Sequence, residues 1–99
     1  MKINTKTVTK DSSRLKKPKS YKVILLNDDY TTFEFVIDLL TSVFRKTLGE
    51  AEQLAKQIDK EGSGIATVTS YEIAETKIAI SLVRAKEKEF PLILEMEPE

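Results

Sequence analysis

An alternating apolar segment opens the patterned part of this chain. Residues 21–27 are apolar and rich in β-branched and aromatic side chains, which predicts a β-strand. Alternation places four of its side chains on one face of that strand, Tyr21, Val23, Leu25 and Asn27. The two other apolar side chains, Ile24 and Leu26, lie on the opposite face.

Two capping-box motifs, Thr31-x-x-Glu34 and Thr47-x-x-Glu50, predict where two helices begin. The first precedes apolar positions with helical spacing, namely Val36, Ile37, Leu40, Val43 and Phe44. The second precedes a narrower apolar stripe, formed by Ala51, Leu54, Ala55 and Ile58. Gly62 is the predicted C-terminal cap of the second helix, because glycine readily adopts the left-handed conformation of such caps.

The remaining pattern predicts a strand at 64–69, a third helix that ends at about Lys88, and a last strand at 92–96 after Pro91. The motif Thr69-x-x-Glu72, or alternatively Ser70, caps the third helix. One side of this helix should pack on the sheet, with Ala74, Ile78, Leu82 and Ala85 along it.

The order β-α-α-β-α-β predicts an α+β fold, a small two-layer sandwich in which a three-stranded antiparallel sheet packs against three helices. With 99 residues the chain has room for one domain. We expect residues 20–99 to form it. Residues 1–19 are rich in Lys, Thr and Ser and have few large apolar side chains, which predicts a disordered N-terminal tail.

The tail and the predicted domain differ in net charge, although the formal net charge of the whole chain is zero. Residues 1–19 carry seven cations and one acid, Asp11, so they are about +6 and the remaining residues about −6. A basic tail is also typical of nucleic-acid binding. This tail has no aromatic residue for base stacking, and the acidic remainder offers no basic face, so we expect no nucleic-acid partner.

Composition excludes several kinds of chemistry. The absence of Cys removes thiolate nucleophiles and disulfides, and the absence of His removes the commonest general base and metal ligand. We therefore expect no enzyme activity, cofactor or metal. No apolar run approaches the roughly 18 residues of a membrane span, and the N-terminus lacks the apolar region of a secretory signal, so we expect a cytoplasmic protein.

The segment Asn27-Asp28-Asp29-Tyr30-Thr31 carries the candidate chemistry, since an amide and two carboxylates end a strand just before a helix. Asn and Asp are also ordinary turn residues, so a purely structural role stays open. A catalytic carboxylate pair is not favoured, because adjacent Asp side chains point apart. A metal site would need more ligands than this loop supplies.

Over about residues 20–97 the chain resembles the ClpS family of adaptors. The matching segments are residues 21–25, 27–31, 34–37, 74–77 and 90–92, in the family's order and spacing. The resemblance implies the fold described above and a monomeric, non-enzymatic adaptor. It would bind the free N-terminal residue of N-degron substrates, a large hydrophobic or aromatic residue, and deliver them to the N-terminal domain of a Clp AAA+ unfoldase. It also gives the tail a role in substrate delivery.

The resemblance implies three groups of site residues. The α-amino group of the substrate would contact Asn27, Asp29 and Asp59, whose oxygens suit an ammonium donor. A hydrophobic slot would be lined by Leu25, Thr31, Phe33, Val36, Ala55, Ile58 and Leu92. The unfoldase would contact Glu72 and Lys77. For Val36 and Ile58 core packing is the alternative, and for Glu72 and Lys77 an ordinary solvated helix face.

The chain departs from the family pattern at four positions. Asp59 replaces the usual His, Phe33 and Ala55 replace Met, and Thr32 replaces Pro. These departures motivate a second hypothesis, a module that docks on the unfoldase but no longer recognises N-terminal residues. A third is a generic scaffold, because the C-terminal domain of the ribosomal stalk protein has the same fold without needing the Asn27-Asp28-Asp29 cluster.

Overall fold

A computed structural model describes residues 19–99, and all but the last of the residues predicted to form the tail lie outside this range. The described residues form three strands and three helices in the predicted order. These are β1 (Tyr21–Leu26), α1 (Phe33–Ser42), α2 (Leu48–Glu61), β2 (Ser63–Thr69), α3 (Tyr71–Glu87) and β3 (Ile93–Pro98). The α+β prediction is confirmed. Within residues 19–99, no helix combines the length and apolar character needed to cross a membrane.

The sheet is antiparallel, and β1 lies at its centre between β2 and β3. Val23 and Leu25 are fully buried on the face covered by the helices, as the alternation predicted. Leu25 lies opposite Gly64 of β2 and Leu94 of β3. One irregularity interrupts the β1–β2 register: successive β1 residues pair with Thr67 and Ile65, so Ala66 forms a bulge.

Helix α2 approaches β2 closely at Gly64. A Cβ atom there would lie 2.8 Å from Leu54 Cδ1 and 2.9 Å from Ile58 Cγ1, so a larger residue would displace these side chains. This contact places the end of α2 directly over the strand that pairs with Leu25. The core therefore extends without interruption from the sheet to the last turn of α2.

Two of the predicted helix caps are confirmed in α2. Thr47 Oγ1 accepts a hydrogen bond from Glu50 N at 3.2 Å, and Thr47 N donates to Glu50 Oε1 at 2.9 Å. These are the reciprocal bonds of a capping box. Gly62 ends the helix in the left-handed conformation, with φ of 95°.

The other helix starts differ in part from expectation. Ser70 caps α3 by accepting from Ile73 N, so the second of the two alternatives is correct. The prediction that Thr31 caps α1 was wrong, because Thr32 is the N-cap and accepts from Phe35 N. The Thr31 hydroxyl instead donates to Asp28. Helix α1 also ends at Ser42, so Val43 and Phe44, which were predicted to lie on this helix, come just after its end.

The packed side of α3 contains Ser81 in place of Leu82. Leu82 is 43% exposed, whereas Ser81 is fully buried. The buried positions therefore follow the spacing of Ala74, Ser81 and Ala85, which keeps a single helical stripe toward the sheet. Ser81 tolerates burial because its hydroxyl donates to the Lys77 carbonyl oxygen at 2.8 Å.

Candidate functional site

The loop after β1 is fixed to the end of α2 by a backbone hydrogen bond. Asn27 N donates to the Gly62 carbonyl oxygen at 2.9 Å. Gly62 N in turn donates to the Ile58 carbonyl oxygen, one helical turn earlier. These bonds bring Asn27 to the same end of the molecule as the last turn of α2, which carries Ile58 and Asp59.

Asp28 holds the shape of this loop. Its Oδ1 accepts hydrogen bonds from Tyr30 N at 2.8 Å and from Thr31 N at 2.7 Å. Its Oδ2 accepts from the Thr31 hydroxyl at 2.6 Å. Partial burial raises the pKa of the Asp28 carboxyl, but the three hydrogen bonds outweigh it, and the pKa lies below its ordinary value.

The structural role of Asp28 was not predicted, although its spacing from Thr31 is a signal that the sequence contains. An Asp that accepts from the backbone two and three residues later is a common turn motif. The carboxylate is therefore occupied by its own loop, which leaves the neighbouring Asn27 and Asp29 as the polar side chains that can face a ligand.

The three residues predicted to bind an α-amino group are all exposed. Asn27 and Asp29 lie on the loop after β1, and Asp59 lies on the last turn of α2. The backbone bond from Asn27 to Gly62 brings these two segments together. The two segments that meet at this end of the domain thus carry an amide oxygen and two carboxylates, and acceptors of this kind suit a cation with several N–H donors. We call Asn27, Asp29 and Asp59 the acceptor-rich surface.

Most of the predicted slot residues form the adjoining part of the core. Five of them are buried, namely Leu25, Val36, Ala55, Ile58 and Leu92. This agrees with the core-packing alternative for Val36 and Ile58, and it means that a ligand could reach only their outer surfaces. Thr31 is half-buried. Phe33, at the first position of α1, is 39% exposed and is the slot residue most open to solvent.

The two predicted unfoldase contacts lie on α3, away from this loop. Both line a groove of about 390 Å³ between α3 and the end of α1. Glu72 is exposed, whereas Lys77 is half-buried. Lys77 Nζ donates to the Val43 carbonyl oxygen at 2.6 Å and lies 5.9 Å from the centre of the Phe44 ring. Lys77 therefore also joins α3 to α1, a structural role that the sequence pattern did not reveal.

The described part of the chain contains no group of three acidic side chains close enough together to hold a metal ion. The chain also lacks His and Cys.

Comparison with known proteins identifies the family. Residues 16–95 match the family model described as ATP-dependent Clp protease adaptor protein ClpS. The ClpS adapter of Acetivibrio thermocellus is 46% identical over 98% of this chain and 100% of that protein. The ClpS adapter of Nautilia profundicola is 46% identical over 94% of this chain and 96% of that protein.

A solved structure agrees with these relatives. The structure of Agrobacterium tumefaciens ClpS2 bound to L-phenylalaninamide is 42% identical in sequence and has a TM-score of 0.80. The match covers 84% of this chain and 100% of that one. The fold, the order of its elements and the family model all agree, and this chain belongs to the ClpS family of ATP-dependent Clp protease adaptors.

Proposed function

We propose that this protein is a monomeric cytoplasmic adaptor that binds the free N-terminal residue of N-degron substrates and delivers them to a Clp AAA+ unfoldase. The preferred first residue is large and hydrophobic or aromatic. The observation that carries the proposal is the backbone bond from Asn27 to Gly62, which brings the loop of the exposed Asn27 and Asp29 to the end of α2 that carries the exposed Asp59. The related ClpS2, which binds L-phenylalaninamide, supports the same ligand chemistry.

Recognition of the α-amino group follows from the donor and acceptor types. An α-ammonium group has three N–H donors and a positive charge, so it favours convergent oxygen acceptors. The Asn27 amide oxygen and the carboxylates of Asp29 and Asp59 supply three such acceptors. A substrate whose N-terminus is blocked has lost the charge and offers a single donor, so it should bind poorly.

The side chain of the first residue would enter the slot beside this surface. Phe33, which is 39% exposed, would form the most open part of this slot, and the buried residues Leu25, Ile58 and Leu92 would supply its apolar floor. Removing an aromatic or leucine side chain from water stabilises binding by about 1.5–3 kcal/mol. A polar first residue such as serine gains almost none of this energy, which explains the proposed preference.

Delivery to the unfoldase is assigned to α3, through Glu72 and Lys77. These residues lie in a groove separate from the proposed substrate site. An adaptor needs two separate surfaces, because it must hold its substrate while it docks. The adaptor performs no chemistry itself, and the unfolding and cleavage steps belong to the Clp machinery.

An alternative function is a ClpS-like modulator that docks on the unfoldase without recognising N-terminal residues. The departures from the family pattern at Phe33, Ala55 and Asp59 favour it. Ala55 is almost completely buried, so the methionine-to-alanine difference would change the packing below the slot. The exposed rim of the slot would then be formed by other residues.

Fluorescence anisotropy with short peptides that differ only in their first residue tests the proposal. Phe-first and Leu-first peptides should bind at least tenfold more tightly than a Ser-first peptide. Acetylation of the Phe-first peptide should abolish measurable binding, because an exposed carboxylate then loses a charge-assisted contact worth about 1.5–3 kcal/mol. Equal affinity for the free and acetylated peptides would exclude the α-amino mechanism. Equal affinity for Phe-first and Ser-first peptides, with unfoldase binding retained, would establish the alternative.

A further inference from the structure

Helix α3 exposes its larger aliphatic residues and buries its small ones. The buried positions are Ala74, Ser81 and Ala85. In contrast, Ile73 is 49%, Ile80 42% and Val83 60% exposed. The three exposed residues are spaced seven and three positions apart, so they form one stripe along the helix. A continuous exposed apolar stripe on a small domain is typical of a surface that binds another protein.

This stripe lies along an extended groove. The depression of about 390 Å³ that contains Glu72 and Lys77 continues into a second one of about 430 Å³ farther along α3. Ile80 and Arg84 line both. The groove therefore extends more than one helical turn beyond the predicted contacts Glu72 and Lys77. We call this surface the α3 groove.

Three cations surround the α3 groove. Arg45, Lys77 and Arg84 all line its first part together with one acid, Glu72, and a second acid, Glu87, lines its second part. Among the residues that the structure describes, the one ion pair joins Lys22 and Glu97, so no carboxylate neutralises these three cations there. With three cations against two acids the groove keeps a small positive excess, on a body, residues 20–99, that is about −6 overall.

Hydrogen bonds fix Arg84 in position. Its Nη1 donates to Ser42 Oγ at 2.7 Å, and the Ser42 hydroxyl donates to the Asp38 carbonyl oxygen at 2.7 Å. The guanidinium keeps its other N–H donors, which have the planar geometry that carboxylates accept. Arg84 is thus held in place before any partner binds, and less side-chain entropy is lost on binding.

Arg45 occupies a position where glycine would suit the backbone better. It follows α1 with φ of 60°, in the left-handed region, and the turn is closed by Lys46 N, which donates to the Leu40 carbonyl oxygen at 3.0 Å. Glycine is the usual residue at such a helix end because it has no Cβ. Glu89 has a similar φ of 61°, so the conformation alone does not assign a role to Arg45, and what implicates Arg45 is its place in the lining of the groove.

We infer that the α3 groove binds an acidic segment of the Clp unfoldase, with Arg45 and Arg84 contacting its carboxylates and Ile80 and Val83 contacting its aliphatic side chains. This inference rests on the proposed function. It adds two arginines to the docking surface and specifies the chemistry of the partner. The chain's own residues 1–19 match the groove less well than an acidic segment does, because they carry seven cations and one acid.

The test measures binding of full-length chains to the full-length Clp unfoldase of the same cell, held in its ATP-bound state. The variants are Arg45→Gly, Arg84→Gln and the two combined. A matched control, Lys86→Gln with Lys88→Gln, removes the same charge from exposed positions at the end of α3 outside the groove. The double arginine variant should bind at least tenfold more weakly and show a smaller salt dependence. The control should stay within twofold of the wild type.

Two readouts separate docking from folding. Arg45→Gly should keep or raise the melting temperature while it weakens unfoldase binding, because glycine relieves the backbone and removes the cation. Arg84→Lys should recover part of the affinity that Arg84→Gln loses, because it restores the charge. All variants should bind a Phe-first peptide like the wild type, so a failed peptide assay in the wild type would contradict the proposed function and not this inference.

Four results would overturn the inference. One is wild-type affinity for the unfoldase in the double arginine variant. Another is equal weakening by the lysine control, which would show that only net charge matters. The third is self-association of the wild type in sedimentation that the double arginine variant abolishes, which would make a second copy of this chain the occupant. Failure of the wild type to bind the unfoldase would exclude the unfoldase as the occupant.

Discussion

Two adjacent aspartates in the loop after β1 should produce different defects when each is replaced by alanine. Asp28 accepts three hydrogen bonds from its own loop. Asp29 is exposed, and its side chain accepts no hydrogen bond within the described part of the chain. We therefore expect Asp28→Ala to lower stability and to weaken peptide binding indirectly. Asp29→Ala should weaken binding directly and leave stability nearly unchanged.

The three bonds of Asp28 set the magnitude of the stability loss. The Asp28 carboxylate is partly open to water, which can replace these bonds, so each contributes about 0.5 kcal/mol, the lower end of the usual range. Together they predict a loss of about 1.5 kcal/mol. For a domain of this size, each kcal/mol of lost stability lowers the melting temperature by roughly 4–8 °C. Asp29→Ala should change stability by less than about 0.5 kcal/mol, as most surface substitutions do.

The pH dependence provides a second readout. The pKa of Asp28 is lowered in the folded protein, so this carboxylate stabilises the fold at pH values above the pKa of an unfolded Asp, about 3.9. That stabilisation is lost as the pH falls through the lower folded pKa. In Asp28→Ala this contribution is absent, so the difference in stability from the wild type should shrink below about pH 4.

Thermal unfolding between pH 3 and 7, together with anisotropy of a Phe-first peptide, tests both expectations. Asp38→Ala is the matched control, because Asp38 is an exposed Asp on α1 whose side chain accepts no hydrogen bond in the described structure. The reasoning would be refuted if Asp28→Ala unfolded at the same temperature as Asp38→Ala. It would also be refuted if Asp29→Ala bound the peptide with wild-type affinity.

Three further substitutions test the packing around the two surfaces. Gly64→Ala should lower the free energy of unfolding, measured with denaturant, by about 1–3 kcal/mol and should also weaken peptide binding. The reason is that the added Cβ would push against Leu54 and Ile58 and displace the end of α2. An unchanged stability together with an unchanged peptide affinity would contradict this. Thr47→Ala should cost about 1 kcal/mol in the same assay, since it removes the capping box, and should leave peptide binding unchanged. Lys77→Met should lower stability by about 1 kcal/mol, because Lys77 Nζ donates a hydrogen bond to the Val43 carbonyl oxygen, and it should also weaken unfoldase binding. Loss of unfoldase affinity alone would show that this bond contributes no stability.

The fold was predictable because independent local signals agreed with one another. The alternation of β1, the Thr47 capping box and the left-handed Gly62 each specify one element boundary, and together they leave little freedom in the order of elements. The incorrect boundaries occurred where two neighbouring residues could serve the same purpose. Thr31 and Thr32 can both cap a helix, and only the competing bond from Thr31 to Asp28 decides between them.

The site was less predictable because its properties depend on contacts between distant segments. The pattern around Asn27 indicated a polar loop, but its bond to Gly62 joins residues 35 positions apart in the chain. The role of Lys77 as a link between helices likewise depends on a carbonyl group that no sequence motif marks. Burial of Ser81 and exposure of Leu82 depend on a rotation of α3 that apolar periodicity alone does not fix.

Asp59 is the position at which the family resemblance gives the least guidance, because a carboxylate stands where the family usually has histidine. It is exposed on the last turn of α2, near the loop that carries Asn27. If it pairs with the substrate's α-ammonium group, Asp59→Ala should weaken binding of a Phe-first peptide by about 1–3 kcal/mol and reduce the salt dependence. Asp59→His should retain binding, because a neutral imidazole still accepts a hydrogen bond.

The same three proteins distinguish the competing interpretations of this residue. If the site no longer recognises N-terminal residues, the wild type should bind Phe-first and Ser-first peptides equally, and Asp59→His should restore the preference. If Asp59 is only a solvated helix residue, both substitutions should leave binding unchanged and alter stability by less than about 0.5 kcal/mol. We expect the first pattern, because an α-ammonium group forms charge-assisted hydrogen bonds with carboxylates, and Asp29 and Asp59 place two carboxylates on the segments that the Asn27–Gly62 bond brings together.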